Sequence, residues 1–146
     1  MFRGNYPTRA DEKGRLKIPA DFKRQIDERY SSNFYITSLD GKSAWLYPME
    51  EWERFEQKVA ALPTFHPTRK KLLDRTNYYG QAVEMDAQGR LLLPALLRDS
   101  ANLKGELAVI GQPDHLVVRN MDEYRNEIAQ NPWTEADDQT LSELGI

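Results

Sequence analysis

Two segments of the sequence carry the same motif, Asp-x-x-Gly-Arg, at residues 11–15 and 86–90. An aspartate followed three positions later by a glycine is typical of a type I turn. Each motif therefore predicts a hairpin loop with an arginine at its exit. A guanidinium in such an exposed position can bind a phosphate, or the edge of a guanine, through two parallel hydrogen bonds. The motif combines the geometry of a turn with chemistry suited to nucleic acid.

Every residue of the motif also has a purely structural interpretation. The aspartate can close the turn through backbone N–H groups, the glycine permits unusual backbone angles, and the arginine can pair with its own aspartate. These loop-structure residues are Asp11, Gly14, Asp86 and Gly89. The basic residues around the first motif favour a binding role for the arginines in addition. The candidate DNA contacts are Arg3, Arg9, Lys13, Arg15, Lys17 and Arg90.

The two predicted loops differ in charge. Gln88 and Leu92 stand in the second copy where the first has Lys13 and Lys17. Because the salt-dependent part of DNA affinity grows with the number of cations that touch phosphate, we expect the first loop to contribute more of it. Leu92 could instead mark a face that is buried between subunits.

No catalytic or metal-binding constellation is recognisable elsewhere. The two histidines, His66 and His115, lie far apart, and the chain has no cysteine, which excludes disulfides, thiolate metal sites and cysteine nucleophiles. The motifs of zinc proteases, serine hydrolases, dinucleotide-binding folds and phosphate-binding loops are missing. We therefore expect no enzyme activity, no catalytic residue, no metal and no cofactor.

The elements that must position the two motifs form an internal repeat. Residues 11–20 and 86–95 share six of ten residues, and 49–52 match 121–124 in the same order. The sequence predicts a duplicated unit in which a helix begins near Pro19 or Pro94, two more strands follow and a second helix ends the unit. We summarise this as an α+β protein with two β-α-β-β-α repeats.

Periodicity and turn residues place the remaining elements. Strands are predicted near 34–37, 44–47, 107–110 and 115–118, and helices over 49–61, 68–79 and 121–130. The predicted division is a first repeat (1–62), a basic connecting helix (63–79), a second repeat (80–130) and an acidic tail (131–146) that we expect to be mobile.

Charge is distributed unevenly along the chain. Residues 1–80 hold 15 Lys and Arg against 11 Asp and Glu, whereas residues 81–146 hold 5 against 12. Since DNA affinity depends on a local basic face, the overall negative charge does not exclude it. The N-terminus resembles no signal peptide and no apolar run could span a membrane. We expect a cytoplasmic, nucleoid-associated protein with no membrane contact.

Three features together resemble the MraZ family of transcriptional regulators, which are encoded at the head of the bacterial division and cell-wall gene cluster. They are the opening Met-Phe-Arg-Gly, the two copies of Asp-x-x-Gly-Arg-x-x-x-Pro, and the Leu-Tyr-Pro…Glu-Trp stretch at 46–52. The resemblance covers about residues 1–130. It implies a SpoVT/AbrB-like swapped-hairpin barrel in which the two units pair by pseudo-two-fold symmetry. It also implies ring-shaped homo-oligomers that bind repeated double-stranded promoter elements through the motif loops.

The expected function is sequence-specific DNA binding that regulates the gene cluster containing the protein's own gene. On this interpretation Arg15 and Arg90 approach bases or the groove. Phosphates are neutralised by Lys13, Lys17, Arg3 and Arg9. Two other classes stay open. The same domain type occurs in antitoxins, so the main partner could be a second protein held by the acidic tail. A small hydrolase or transferase with an unrecognised site is the other alternative.

Overall fold

The computed structural model describes residues 1–146 and has the predicted α+β class. The first half contains β1 (Asn5–Thr8), β2 (Arg15–Lys17), α1 (Ala20–Arg29), β3 (Asn33–Thr37), β4 (Ala44–Pro48) and α2 (Met49–Ala60), followed by α3 (Pro67–Tyr78). The second half contains β5 (Gln81–Glu84), β6 (Arg90–Leu92), α4 (Ala95–Ser100), β7 (Leu107–Gly111), β8 (Leu116–Asn120) and α5 (Met121–Gln130), followed by α6 (Glu135–Glu143). The two halves thus have the same order of elements, with two strands ahead of the first helix.

The strands form one antiparallel six-stranded sheet in the order β1-β7-β8-β4-β3-β5 and a separate two-stranded ribbon, β2-β6. The halves exchange their first strands, since β1 pairs with β7 and β5 pairs with β3. Pro7 fits the edge strand β1, where its missing N–H leaves no ladder hydrogen bond unmade. The sheet stays open at β1 and β5, so the strands do not close into a single barrel.

The prediction that the two strands around each Asp-x-x-Gly turn pair with each other as a hairpin is wrong. β1 and β2 share only the isolated bridge between Ala10 and Leu16. Both strands instead pair with strands of the second half, β7 and β6. A local hairpin would leave edge groups of β7 and β3 unpaired, whereas the exchange satisfies these backbone donors and acceptors.

One hydrophobic core of 19 buried residues joins the two halves and fixes the ribbon against one face of the sheet. Corresponding residues of the halves occupy it together: Leu16 with Leu91, and Phe22 with Leu97, all fully buried. The helix α2 covers the opposite face of the sheet, where Trp52 stacks on Tyr35 with 4.7 Å between ring centroids. The ribbon and α2 therefore lie on opposite sides of the sheet.

The predicted strands and helices agree with the observed ones within about two residues. The start of α5 has a local cause, because the Asn120 side chain accepts a hydrogen bond from the Glu123 N–H at 3.1 Å. Pro19 and Pro94 stand directly before α1 and α4 as N-cap residues. No helix has the length and apolar character needed to cross a bilayer.

The acidic tail, expected to be mobile, contains the helix α6. A capping box explains its start: Thr134 and Asp137 each accept a hydrogen bond from the other's backbone N–H. Acidic residues in its first turn add a favourable interaction with the helix dipole. The prediction of a mobile tail missed this Thr-x-x-Asp signal because the segment has few apolar residues and many acids.

Candidate nucleic-acid interface

The ribbon β2-β6 brings the two motif loops side by side. In its antiparallel register Arg15 faces Leu92, Leu16 faces Leu91, and Lys17 faces Arg90. The central leucines are fully buried in the core. Since side chains alternate between the faces of a strand, the four outer residues share the other face. That outer ribbon face, formed by Arg15, Lys17, Arg90 and Leu92, is the candidate interface.

Each motif folds as a closed turn around its aspartate. In the first loop, the Oδ1 atom of Asp11 accepts hydrogen bonds from the backbone N–H groups of Lys13 at 3.0 Å and Arg15 at 2.9 Å. The Oδ1 atom of Asp86 accepts the matching pair in the second loop, both at 2.9 Å. These backbone N–H groups, above all that of the motif arginine, hold the pKa of each carboxyl below its usual range. Both aspartates are therefore charged acceptors at neutral pH.

The two motif glycines have a left-handed backbone conformation, and their carbonyl groups connect the two loops. Gly14 has a φ of +83° and Gly89 a φ of +76°. Their carbonyl groups accept hydrogen bonds from the other half: Leu93 N–H donates to Gly14 at 2.9 Å, and Ile18 N–H donates to Gly89 at 2.9 Å. Each loop is thus held by the strand that leaves the other loop.

Each motif arginine is oriented by its own aspartate. The Nε atom of Arg15 donates to Asp11 Oδ2 at 2.7 Å, and that of Arg90 donates to Asp86 Oδ2 at 2.8 Å. The side chains remain 33% and 25% exposed, respectively. Arg90 Nη1 also lies 3.9 Å from Asp11 Oδ2, which links the two loops electrostatically. The ion pair engages Nε, so the terminal amino groups of Arg15 keep their donors for a phosphate or a base edge.

Two further cations lie beside the loops and were missed from the sequence. A Cβ atom added to Gly14 would lie 2.5 Å from the Arg98 guanidinium, and one added to Gly89 would lie 2.8 Å from the Lys23 side chain. Lys23 and Arg98 occupy equivalent positions of the two halves, on α1 and α4. They reach the loop of the opposite half, a relationship that the local sequence does not signal.

The remaining predicted contacts are spread more widely. Lys13 lies within the first loop and is exposed, and Arg9 is exposed just before it. Arg3 lies at the other end of β1, where its backbone N–H packs against Gly111. The four-residue strand β1, roughly 13 Å long at about 3.3 Å per residue, lies between Arg3 and the first loop. Arg3 therefore lies beyond the end of β1 that is remote from the first loop.

The two histidines have structural contacts. His66 caps α3 by accepting a hydrogen bond at Nδ1 from Thr68 N–H at 3.1 Å. The ring of His115 stacks on Tyr47 with 4.1 Å between centroids, and its Nδ1 lies 2.7 Å from Asp114 Oδ1. Burial lowers the pKa of His115, with Asp114 opposing the shift, and burial raises the pKa of Tyr47 to about 12. No three His, Asp or Glu side chains cluster in a way that could hold a metal ion.

Comparison with models of known protein families identifies the family of this chain. The family model described as "MraZ protein, putative antitoxin-like" matches residues 1–75 and 80–143. The chain belongs to the MraZ family. Both motif loops fall inside the match, which also extends beyond residue 130 and includes α6.

Relatives named transcriptional regulator MraZ align along the whole chain. The protein from Koribacter versatilis is 61% identical over 147 residues and that from Acidobacterium capsulatum 58% identical over 146 residues, each alignment covering 100% of both chains. The protein from Haemophilus influenzae strain PittEE is 36% identical over 132 residues, which is 90% of this chain and 87% of the relative. The MraZ family is thus shown at high and at moderate identity.

Proposed function

We propose that this protein is a transcriptional regulator that binds double-stranded DNA through the outer ribbon face. The observation that carries the proposal is the register that places Lys17 opposite Arg90 and Arg15 opposite Leu92 on one exposed surface. A two-stranded ribbon fits the major groove of B-DNA, and several DNA-binding folds use one there. The name transcriptional regulator of the full-length relatives supports the same conclusion.

The side chains of the ribbon suit different parts of the duplex. Arg15 and Arg90 are held at Nε by their aspartates and present amino groups for bidentate contact with guanine. Leu92 lies beside Arg15 and offers an apolar group to a thymine methyl. Lys13 and Lys17 neutralise phosphates, and the exposed Arg9 and Arg3 extend this contact along the backbone.

A homo-oligomer, ring-shaped as the family resemblance implies, multiplies this contact. One ribbon makes few contacts, so several identical ribbons on repeated promoter elements raise the overall affinity by avidity. The exchange of β1 and β5 between halves and the shared core support a swapped-hairpin arrangement of repeats 1–62 and 80–130, with 63–79 as connector and 131–146 as tail. The protein would act at the nucleoid in the cytoplasm, on the division and cell-wall gene cluster that contains its own gene.

A footprint on the DNA upstream of the protein's own gene tests the proposal. We expect protection of evenly spaced short repeats by the purified protein, and no discrete protection on a shuffled sequence of equal composition. Uniform, weak protection of both DNAs would contradict sequence-specific regulation. The variant Lys58→Ala, at an exposed position on the far side of the sheet from the ribbon, is the control and should give the wild-type footprint.

An antitoxin is the second candidate. The family description calls the family antitoxin-like, and the chain carries an acidic helix, α6, that could hold a basic partner protein. Expression of each gene adjacent to this one, with and without this chain, tests the idea. Growth arrest by a neighbouring product that this chain relieves would favour an antitoxin, whereas the absence of any toxic neighbour would exclude it.

A further inference from the structure

A groove of about 550 Å³ lies between α3 and the turn that joins β3 to β4. Its lining residues are Leu39, Asp40, Thr68, Lys71, Leu72 and Arg75. The two leucines are half-buried and form an apolar floor. Lys71 and Arg75 are four positions apart and so lie on the same side of α3, along the rim of this groove.

The two cations of the groove have no partner within the chain. Neither Lys71 nor Arg75 forms an ion pair, whereas the neighbouring Lys70 pairs with Asp74 at 2.6 Å. The one acid of the groove, Asp40, already accepts a hydrogen bond from the Lys42 N–H at 2.9 Å. The groove therefore combines an apolar floor with two cations and one acid, which leaves it a net positive charge.

The complementary surface is α6 of the same sequence. From Asn131 to Ile146 the chain has four acids and no basic residue, and none of the acids forms an ion pair with a basic residue. Every residue of α6 except the half-buried Leu141 is exposed. Apolar side chains around it are exposed as well, with Trp133 at 65% and Leu144 at 69%. The helix thus has no packing partner in its own chain.

One acid and two leucines share one face of α6. Asp137, Leu141 and Leu144 follow the spacing i, i+4, i+7, which places them in a row. Such a face can set its leucines on an apolar floor and bring the acidic first turn of α6 beside cations at the rim. The Oδ2 atom of Asp137 also accepts hydrogen bonds from Thr134 at the start of the helix. Phosphate groups of DNA would pair with the cations but would leave the floor of Leu39 and Leu72 without a partner.

We propose that α6 of one copy docks in the α3 groove of a second copy. Docking within one chain is disfavoured by the placement of the helices. The helix α6 follows α5, which packs on β7 and β8, whereas the carbonyl of Thr76 on α3 accepts hydrogen bonds from the Tyr35 and Thr37 side chains of β3. The helix α2 packs on β3 and β4, between the two. The inference is independent of DNA binding and supplies a contact for the oligomer proposed above.

Disulfide crosslinking tests the contact directly, because the chain has no cysteine of its own. The double variant Lys71→Cys/Asp138→Cys places one thiol at the groove and one on α6, both at exposed positions. Under mild oxidation we expect a ladder of covalent dimers and higher multimers that collapses on reduction. Docking brings the two thiols to an effective concentration on the order of millimolar, well above that of the protein in solution. The matched control is Lys70→Cys/Asp138→Cys, with the first thiol one residue away and outside the groove.

Three results would overturn the proposal. A ladder of equal intensity in the control would show random collision of thiols. A monomer with an internal disulfide would place α6 in the groove of its own chain. The third result concerns the variant Lys71→Glu/Arg75→Glu, for which we expect a lower assembly mass than for the control Lys70→Glu. An unchanged assembly mass together with weakened DNA binding would show that the groove binds DNA.

Discussion

Lys17 lies directly opposite Arg90 across the ribbon, although the two residues belong to different halves of the chain. Leu92, the residue equivalent to Lys17, lies opposite Arg15. The charge of the first motif is therefore shared with the second loop in space. Lys23 and Arg98 likewise reach the loop of the other half. The loops are less unequal in their electrostatic surroundings than their sequences indicate.

The salt dependence of DNA binding tests this sharing. We expect Lys17→Ala and Arg90→Ala each to reduce the slope of log affinity against log salt, by up to about 0.9 for each duplex phosphate that the variant no longer neutralises. The control is Lys58→Ala on α2, across the sheet from the ribbon, which should leave the slope unchanged. If Lys17→Ala reduced the slope and Arg90→Ala left it unchanged, the first loop would neutralise more phosphates than the second, as the sequence alone predicts.

Arg15→Ala should weaken binding to a specific site while leaving the fold intact. A bidentate arginine contact with guanine is worth about 1–3 kcal/mol of discrimination. The partly exposed pair with Asp11 adds little stability, because solvent screens an ion pair at the surface. Thermal melting and titration of specific DNA measure the two effects separately. A large fall in melting temperature with proportionate loss of binding would make Arg15 a structural partner of Asp11 only.

Gly14→Val and Gly89→Val should each lower the melting temperature. A β-branched residue resists the positive φ at both positions, which costs on the order of 1–3 kcal/mol. In addition, the new side chain would displace Arg98 or Lys23. The control Gly105→Val has a φ of +68° but open space around it, so it isolates the backbone cost. Destabilisation at Gly14 no greater than at Gly105 would contradict the close approach of Arg98.

The acid limb of the stability curve should depend on the two motif aspartates. Their folded-state pKa values are below the ordinary value of about 3.9. The charged carboxylates therefore stabilise the fold above that pH, and this contribution disappears as the pH falls through the depressed values. Asp11→Asn and Asp86→Asn keep the Oδ1 acceptor but remove the charge. We expect the melting temperature of these variants to fall less steeply than that of the wild type below about pH 4. The control Glu53→Gln replaces an exposed acid on α2 that forms no ion pair, and it should follow the wild type.

Local signals in the sequence predicted the turns, the strand and helix positions and the start of α5 at Asn120. They depend on contacts within a few residues, such as the hydrogen bonds of the Asp11 carboxylate to its own loop. The pairing of β1 with β7 depends instead on which edges the whole sheet leaves open, so a local hairpin was expected wrongly. The positions of Lys23 and Arg98 beside the loops were not predicted either, because each residue contacts the loop of the other half.

The most direct test of the ribbon as the DNA-reading surface is the affinity ratio between the upstream DNA and a shuffled duplex. The ratio should be measured at one salt concentration for the wild type and for Arg15→Ala/Arg90→Ala. We predict that the double variant keeps its melting temperature and assembly mass but binds both DNAs equally, at the weak affinity of nonspecific contact. A double variant that still prefers the upstream DNA as strongly as the wild type would show that another surface reads the sequence.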